Sequence, residues 1–190
     1  MMRNATLSTA ALGEQSLAKS ALLVVAGSAL LTLSSKISVP FFPVPMTMQT
    51  FTVLLLGFAL GARLGLVTVL AWLAQGAAGL PVFAGPAAGL AYFAGPTGGY
   101  LAGFAIAAWA TGALAERGWD RSLAGSAAAA LLGLAVIYAA GLGWLGTVVG
   151  WDKPVLELGL IPFLPGELVK LGLLACALPL AWRALGRGDG

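Results

Sequence analysis

Between Arg63 and Glu116 the chain carries no Asp, Glu, Lys or Arg. That stretch is too long for one membrane crossing of about 20 residues. It is also too apolar for the surface of a soluble domain, where about a quarter of residues are charged. Its middle, residues 79–99, is rich in Gly and Pro, which disfavour helix. The stretch therefore divides into two crossings, predicted at 64–78 and 99–115.

The remaining charges mark the ends of four more. One crossing lies between Lys19 and Lys36, at about 20–35, and another precedes Arg63, at about 48–62. The last two are expected at 123–148 and 160–182. The predicted fold is an all-α integral membrane protein, a compact six-transmembrane-helix bundle, with residues 1–190 forming a single membrane domain. Composition agrees, since 59% of the 190 residues are hydrophobic and 9% charged, which leaves no room for a second soluble domain. The polar start, 1–20, followed by an apolar run has the outline of a secretory signal. No cleavage pattern follows and later segments are equally apolar, so this first crossing is expected to stay.

Lys and Arg set the orientation. With the N-terminus inside, Arg3, Lys19, Arg63, Arg117, Arg121, Arg183 and Arg187 are cytoplasmic, Lys36 and Lys153 are outside, and Lys170 lies within a crossing. Both termini are therefore expected in the cytoplasm and the protein in the cytoplasmic (inner) membrane, surrounded by lipid. The positive charges sit at the edges of apolar segments, so the net charge of +3 reports orientation and no nucleic-acid partner. Trp119 and Trp182 then mark the inner interface, Trp144 and Trp151 the outer one. Glycines spaced by four (Gly57, Gly61 and Gly65; Gly95, Gly99 and Gly103) are read as points where helix backbones approach closely in lipid.

Several chemistries are absent. There is no histidine, and Cys176 is the only cysteine, so neither a His/Cys zinc site, nor an imidazole-dependent triad, nor a disulfide within the chain can form. No segment reads G-x-x-x-x-G-K-[ST]. The chain is expected to be no enzyme and to need no cofactor.

What remains are the outer loops and one buried pair. Three prolines punctuate the first loop (Pro40, Pro43, Pro45), and the second, from Gly79, is uncharged over some twenty residues. Such loops either fold over a cavity as a lid or rest among the headgroups. In the sixth crossing, Pro165-Gly166-Glu167-Leu168-Val169-Lys170 puts two charges three residues apart, on one helix face. A helix running from Leu160 would carry Glu167 roughly 10 Å and Lys170 roughly 15 Å down. Charges at depth are costly and mark function, unless they are a self-neutralising pair that fixes packing. A cyclic urea suits the pair, with two N–H groups donating to Glu167 and a carbonyl accepting from Lys170, while Phe83, Tyr92, Phe93, Tyr100 and Phe163 enclose the rest. Other ligands fit the same chemistry.

Three stretches carry a family resemblance: Val44-Pro45-Met46-Thr47-Met48-Gln49-Thr50; Gly79-Leu80-Pro81-Val82-Phe83-Ala84-Gly85 continuing to Gly95-Pro96-Thr97-Gly98-Gly99-Tyr100; and Pro165 to Lys170. Together they resemble the BioY family, the biotin-specific S components of energy-coupling factor (ECF) transporters. The resemblance implies a six-helix bundle with an outward pocket for biotin, capped by the outer loops. It implies partnership with an ECF T component and two ATPase subunits, although some members act alone as a homo-oligomer. It also implies ureido contacts from Glu167 and Lys170. Biotin's carboxylate then falls to backbone amides, Thr47, Gln49, Thr97 or Tyr100, because no arginine occurs from 64 to 115; Thr47 reads equally as a helix cap and Tyr100 as an interface anchor.

Two features depart from the family pattern. Glu167 stands where Asp is usual, and Ala18, Ala21, Ala26 and Ala29 include no pair spaced by four for docking on the T component. An S component for thiamine or riboflavin is the alternative, although Lys170 would repel a cationic ligand.

Overall fold

The computed structural model describes residues 5–86 and 88–186; Arg3 and Arg187, counted above for orientation, lie outside the described residues. The helices are α1 (Leu7–Leu12), α2 (Leu17–Lys36), α3 (Gln49–Ala77), α4 (Leu90–Ala94), α5 (Gly98–Ala115), α6 (Leu123–Val149), α7 (Val155–Gly159) and α8 (Leu164–Ala184). A two-stranded antiparallel ribbon, β1 (Ser38–Val39) and β2 (Met46–Thr47), pairs Ser38 with Thr47 and Val39 with Met46. Five helical segments are long and apolar enough to cross a membrane: Leu17–Lys36, Gln49–Ala77, Gly98–Ala115, Leu123–Val149 and Val155–Ala184.

The segment Gln49–Ala77 is not one rod. In a straight helix Gly57 and Gly65 would be about 12 Å apart along the axis, yet a Cβ placed on Gly65 would lie 3.1 Å from the Gly57 Cα. The chain doubles back at Gly61, whose φ of 83° and ψ of 177° are non-helical and suit glycine, which has no Cβ to clash. Residues 49–60 and 62–77 are thus two antiparallel arms, the expected 48–62 and 64–78. Their junction lies at Gly61 and not at Arg63, because backbone conformation sets the turn and the charge only follows it. Glu116 Oε1 accepts from the Ala62 N–H at 2.9 Å, satisfying one of the free amides with which the second arm begins.

The expected crossing at 160–182 is also assembled differently. Leu160, at φ −132° and ψ −59°, separates α7 from a 3₁₀ turn at Ile161–Phe163, and α8 begins at Leu164 with a proline in its first turn. Proline is tolerated there because the first amides have no helical partner. Glu167 is consequently in the first turn of α8, and the depth expected by counting from Leu160 does not hold.

Glycine brings the arms, α5 and α6 into backbone contact. A Cβ on Gly57 would fall 2.6 Å from the Ala108 carbonyl oxygen, one on Gly112 2.7 Å from the Ala62 Cα, and one on Gly103 2.9 Å from the Ile137 Cα. The spacing-by-four reading holds for Gly57, Gly65, Gly99 and Gly103, while Gly61 is the turn itself, where a Cβ would meet the side chains of Glu116 and Thr6. The reading fails for Gly95, which ends α4 and would meet nothing nearer than the Tyr92 carbonyl at 3.3 Å. Around this centre the exterior is apolar: Leu17, Leu22, Val25 and Leu33 of α2 are exposed, a surface suited to lipid and not to water.

The bundle has two distinct ends. One gathers Thr6, Gly61 and Glu116, and there the buried Asp120 accepts from Trp182 Nε1 at 2.7 Å. The other gathers Lys36, the ribbon and the loop that follows α3.

If the reversal depends on Gly61, Gly61→Val should lower the thermal unfolding midpoint in detergent by several degrees. A side chain there is strained by the positive φ and would lie 2.7 Å from Glu116 Oε1. Gly172→Ala, with nothing within 4 Å, should leave the midpoint unchanged or slightly raised. Equal midpoints for both variants would remove the turn from its structural role.

Candidate ligand-binding site

The cavity at the loop end holds about 480 Å³ of empty space, part of it open to the outside. Its walls come from the ribbon (Val44, Pro45, Met46, Thr47), the start of α3 (Gln49, Thr50), the loop before α5 (Ala84, Tyr92, Thr97), α5 (Tyr100, Leu101, Phe104), Tyr138 of α6, and Phe163 with Glu167. All three tyrosines of the chain line it.

Glu167 and Lys170 form a buried ion pair, Nζ to Oε1 at 2.8 Å, with side chains 6% and 7% exposed. Thr50 completes the arrangement. Its hydroxyl donates to both Glu167 oxygens at 2.9 Å and accepts from Lys170 Nζ at 3.0 Å. The lysine also donates to the Thr47 carbonyl at 2.6 Å. An ammonium has three N–H donors, and Lys170 spends all of them on protein groups. Glu167 faces the cavity with lone pairs to spare, whereas Lys170 stands behind it and is absent from the wall. An acidic group in a first helical turn also meets the positive end of the helix dipole.

Thr47 starts α3. Its hydroxyl accepts from the Gln49 N–H at 3.2 Å and donates to Gln49 Oε1 at 2.9 Å. That fixes Gln49 and leaves its side-chain amide N–H groups for a ligand. Tyr100 presents its ring, since its hydroxyl donates to the Gly159 carbonyl at 2.8 Å; Tyr138 stands edge-on to it at 5.8 Å.

The uncharged loop is held down from two sides. Lys36 Nζ donates to the Phe83 and Gly85 carbonyls at 2.7 and 3.1 Å, and Ser35 Oγ to the Val82 carbonyl at 2.9 Å. Phe83 is fully buried, edge-on to Trp72 at 4.9 Å and stacked on Tyr92 at 4.7 Å. Burial raises the Tyr92 phenol above its ordinary pKa, partly offset by a hydrogen bond with Thr97. Its hydroxyl therefore stays neutral at physiological pH. The loop packs onto the bundle beside the cavity and contributes Ala84 to its wall.

The model of the BioY family matches residues 2–187. The chain belongs to the BioY family. It is 41% identical over 153 residues to a probable biotin transporter BioY of Pyrococcus horikoshii, covering 80% of this chain and 90% of that one. It is 39% identical over 151 residues to the biotin transporter BioY of Thermotoga maritima, covering 78% and 88%. The crystal structure of the S-component for biotin from an ECF-type ABC transporter superposes with a TM-score of 0.76 at 25% identity, covering 90% of this chain and 95% of that one.

In this BioY-family chain, Glu167, Gln49, Tyr100, Tyr92 and Thr97 converge on one cavity. Phe83 supports the wall from behind through Tyr92, and Lys170 does so through Glu167. Thr50, Tyr138 and Phe104 also line the cavity and went unnoticed in sequence. Tyr138 carried a signal, as a phenol inside an apolar crossing; Thr50 lies within the quoted motif, three residues after Thr47.

Removing one partner of a buried pair leaves an uncompensated charge and costs about 3–5 kcal/mol. Lys170→Met should therefore lower the unfolding midpoint clearly. Glu167→Gln combined with Lys170→Met should recover part of that loss, because no buried charge then remains. A double variant no more stable than Lys170→Met would mean the pair is not coupled as described.

Proposed function

We propose that this chain binds biotin at the outer face of the cytoplasmic membrane and carries it inward as the substrate-binding S component of an ECF-type transporter. The observation that carries this reading is a single acidic acceptor in a tyrosine-lined, uncharged cavity under a packed loop, in a BioY-family chain. Glu167 accepts the ureido N–H groups. Lys170 neutralises that carboxylate and, with Thr50, fixes its direction. The ring faces of Tyr92, Tyr100, Phe104 and Tyr138 enclose the apolar ring and tail. Among the described residues no cation lines the cavity, so the carboxylate of biotin is held by neutral donors, Gln49 and Thr97 among them.

The reading includes six crossings, counting the arms 49–60 and 62–77 separately, within one membrane domain with both termini in the cytoplasm. Lys19, Arg63, Arg117, Arg121 and Arg183 at one end against Lys36 and Lys153 at the other support that orientation. Energy comes from a T component and two ATPase subunits, since the chain carries no P-loop of its own.

Calorimetric titration of the purified protein in nanodiscs should give near-stoichiometric biotin binding and none with thiamine or riboflavin. Glu167→Gln, which replaces half of the acceptor with a donor, should weaken binding about a hundredfold, in keeping with the loss of one or two charge-assisted hydrogen bonds. Lys170→Ala should weaken it as well, through the altered set of Glu167. Absence of biotin binding by folded protein would overturn the substrate; normal affinity in Glu167→Gln would overturn the ureido contact.

A further inference from the structure

A second groove lies at the opposite end of the bundle, between the linker after α1, the second arm of α3 and α5. Leu60, Arg63, Leu64, Val67, Trp109 and Glu116 are among its lining, and it opens to the outside. Two of these groups have bonding capacity that no described residue takes up. The exposed Arg63 makes no hydrogen bond or ion pair among the described residues. Glu116 accepts from Ala62 through Oε1, while Oε2 accepts from no described residue.

Arg63 and Glu116 carry opposite charges in one groove, yet they do not pair within 4.0 Å. Two separated, opposite charges at the mouth of a groove match a zwitterion better than a single ion. The remaining lining is apolar. Leu60, Leu64, Val67 and the half-exposed Trp109 run along the helices away from the charged mouth, and Trp109 lies about 10 Å along α5 from Glu116. A charged mouth leading to an apolar channel on a membrane-facing surface has the outline of one phospholipid, headgroup at the interface and chain against the helices.

We propose that this groove is a binding site for a zwitterionic aminophospholipid, a phosphatidylethanolamine. Its phosphate sits on Arg63, its ammonium donates to Glu116 Oε2, and one acyl chain lies along Leu64, Val67 and Trp109. An ethanolamine headgroup satisfies both charges. A phosphatidylglycerol headgroup satisfies Arg63 and is repelled by Glu116, and the trimethylammonium of phosphatidylcholine has no N–H to give.

The test is native mass spectrometry of the protein in detergent with equimolar phosphatidylethanolamine, phosphatidylglycerol and phosphatidylcholine, with thermal unfolding in lipid-free detergent as the check on folding. Phosphatidylethanolamine should be retained preferentially. Arg63→Ala should reduce its retention about tenfold, the loss of one charge-assisted contact. Glu116→Gln keeps an oxygen for Ala62 but drops the charge, and should erase the preference over phosphatidylglycerol. Leu60→Ala, which trims the groove wall and leaves both charges, should retain the headgroup preference. Equal retention of all three lipids, preference for phosphatidylglycerol, or retention unchanged in both charge variants of unaltered unfolding midpoint would overturn the proposal. The last result would leave the groove as a surface for a protein partner.

Discussion

Residues 49–60 make an arm about 18 Å long, while the hydrocarbon layer of a bilayer is about 30 Å thick. An arm that starts from the turn at Gly61 therefore stops well short of the far surface. The cavity occupies that missing length. Gln49 and Thr50, in the first turn of the short arm, belong to its wall, and the ribbon of residues 38–47 lies above them. A chain that had continued straight through Gly61 would not have placed Thr50 in the cavity wall or Thr47 and Thr50 within reach of Lys170. The turn in its turn relies on close backbone packing, because any side chain at Gly57 or Gly112 would push α5 away.

The polar centre of the cavity illustrates how an apolar bundle tolerates charge. Burying a carboxylate or an ammonium alone is prohibitive, and pairing them offsets the cost only if the remaining donors and acceptors are met. Here Thr47 and Thr50 meet them, so that the ammonium is saturated and the carboxylate is not. The asymmetry gives the cavity one directional acceptor without a net charge. Selectivity then rests on a ligand that can offer N–H groups and does not bring a cation.

Much of this architecture was legible because charges are so rare. Lys19, Lys36, Arg63 and Glu116 delimit the helices closely: expected boundaries at 99–115 and 123–148 differ from α5 and α6 by one residue at one end of each. Glu167 announced itself because a carboxylate in an apolar segment has few explanations. Less was legible where the outcome depends on contacts distant in sequence. Whether Lys170 faces a ligand or the protein is decided by Thr47 and Thr50, more than a hundred residues away. Phe83 reads as a ligand contact in one dimension; that it is fully buried between Trp72 and Tyr92 is visible only in three. Gly95 fits a spacing rule that applies only within helices, and it lies outside one.

The link between α2 and the loop above the cavity has a mechanical meaning. By burial α2 is the least embedded of the five long segments, and it packs chiefly on α3, where Ser28 donates to Gln75 Oε1 at 3.0 Å. Yet its last two residues, Ser35 and Lys36, grip three carbonyls of that loop. The end of α2 and the loop beside the cavity are thus one mechanical unit, and a change in the position of either is felt by the other.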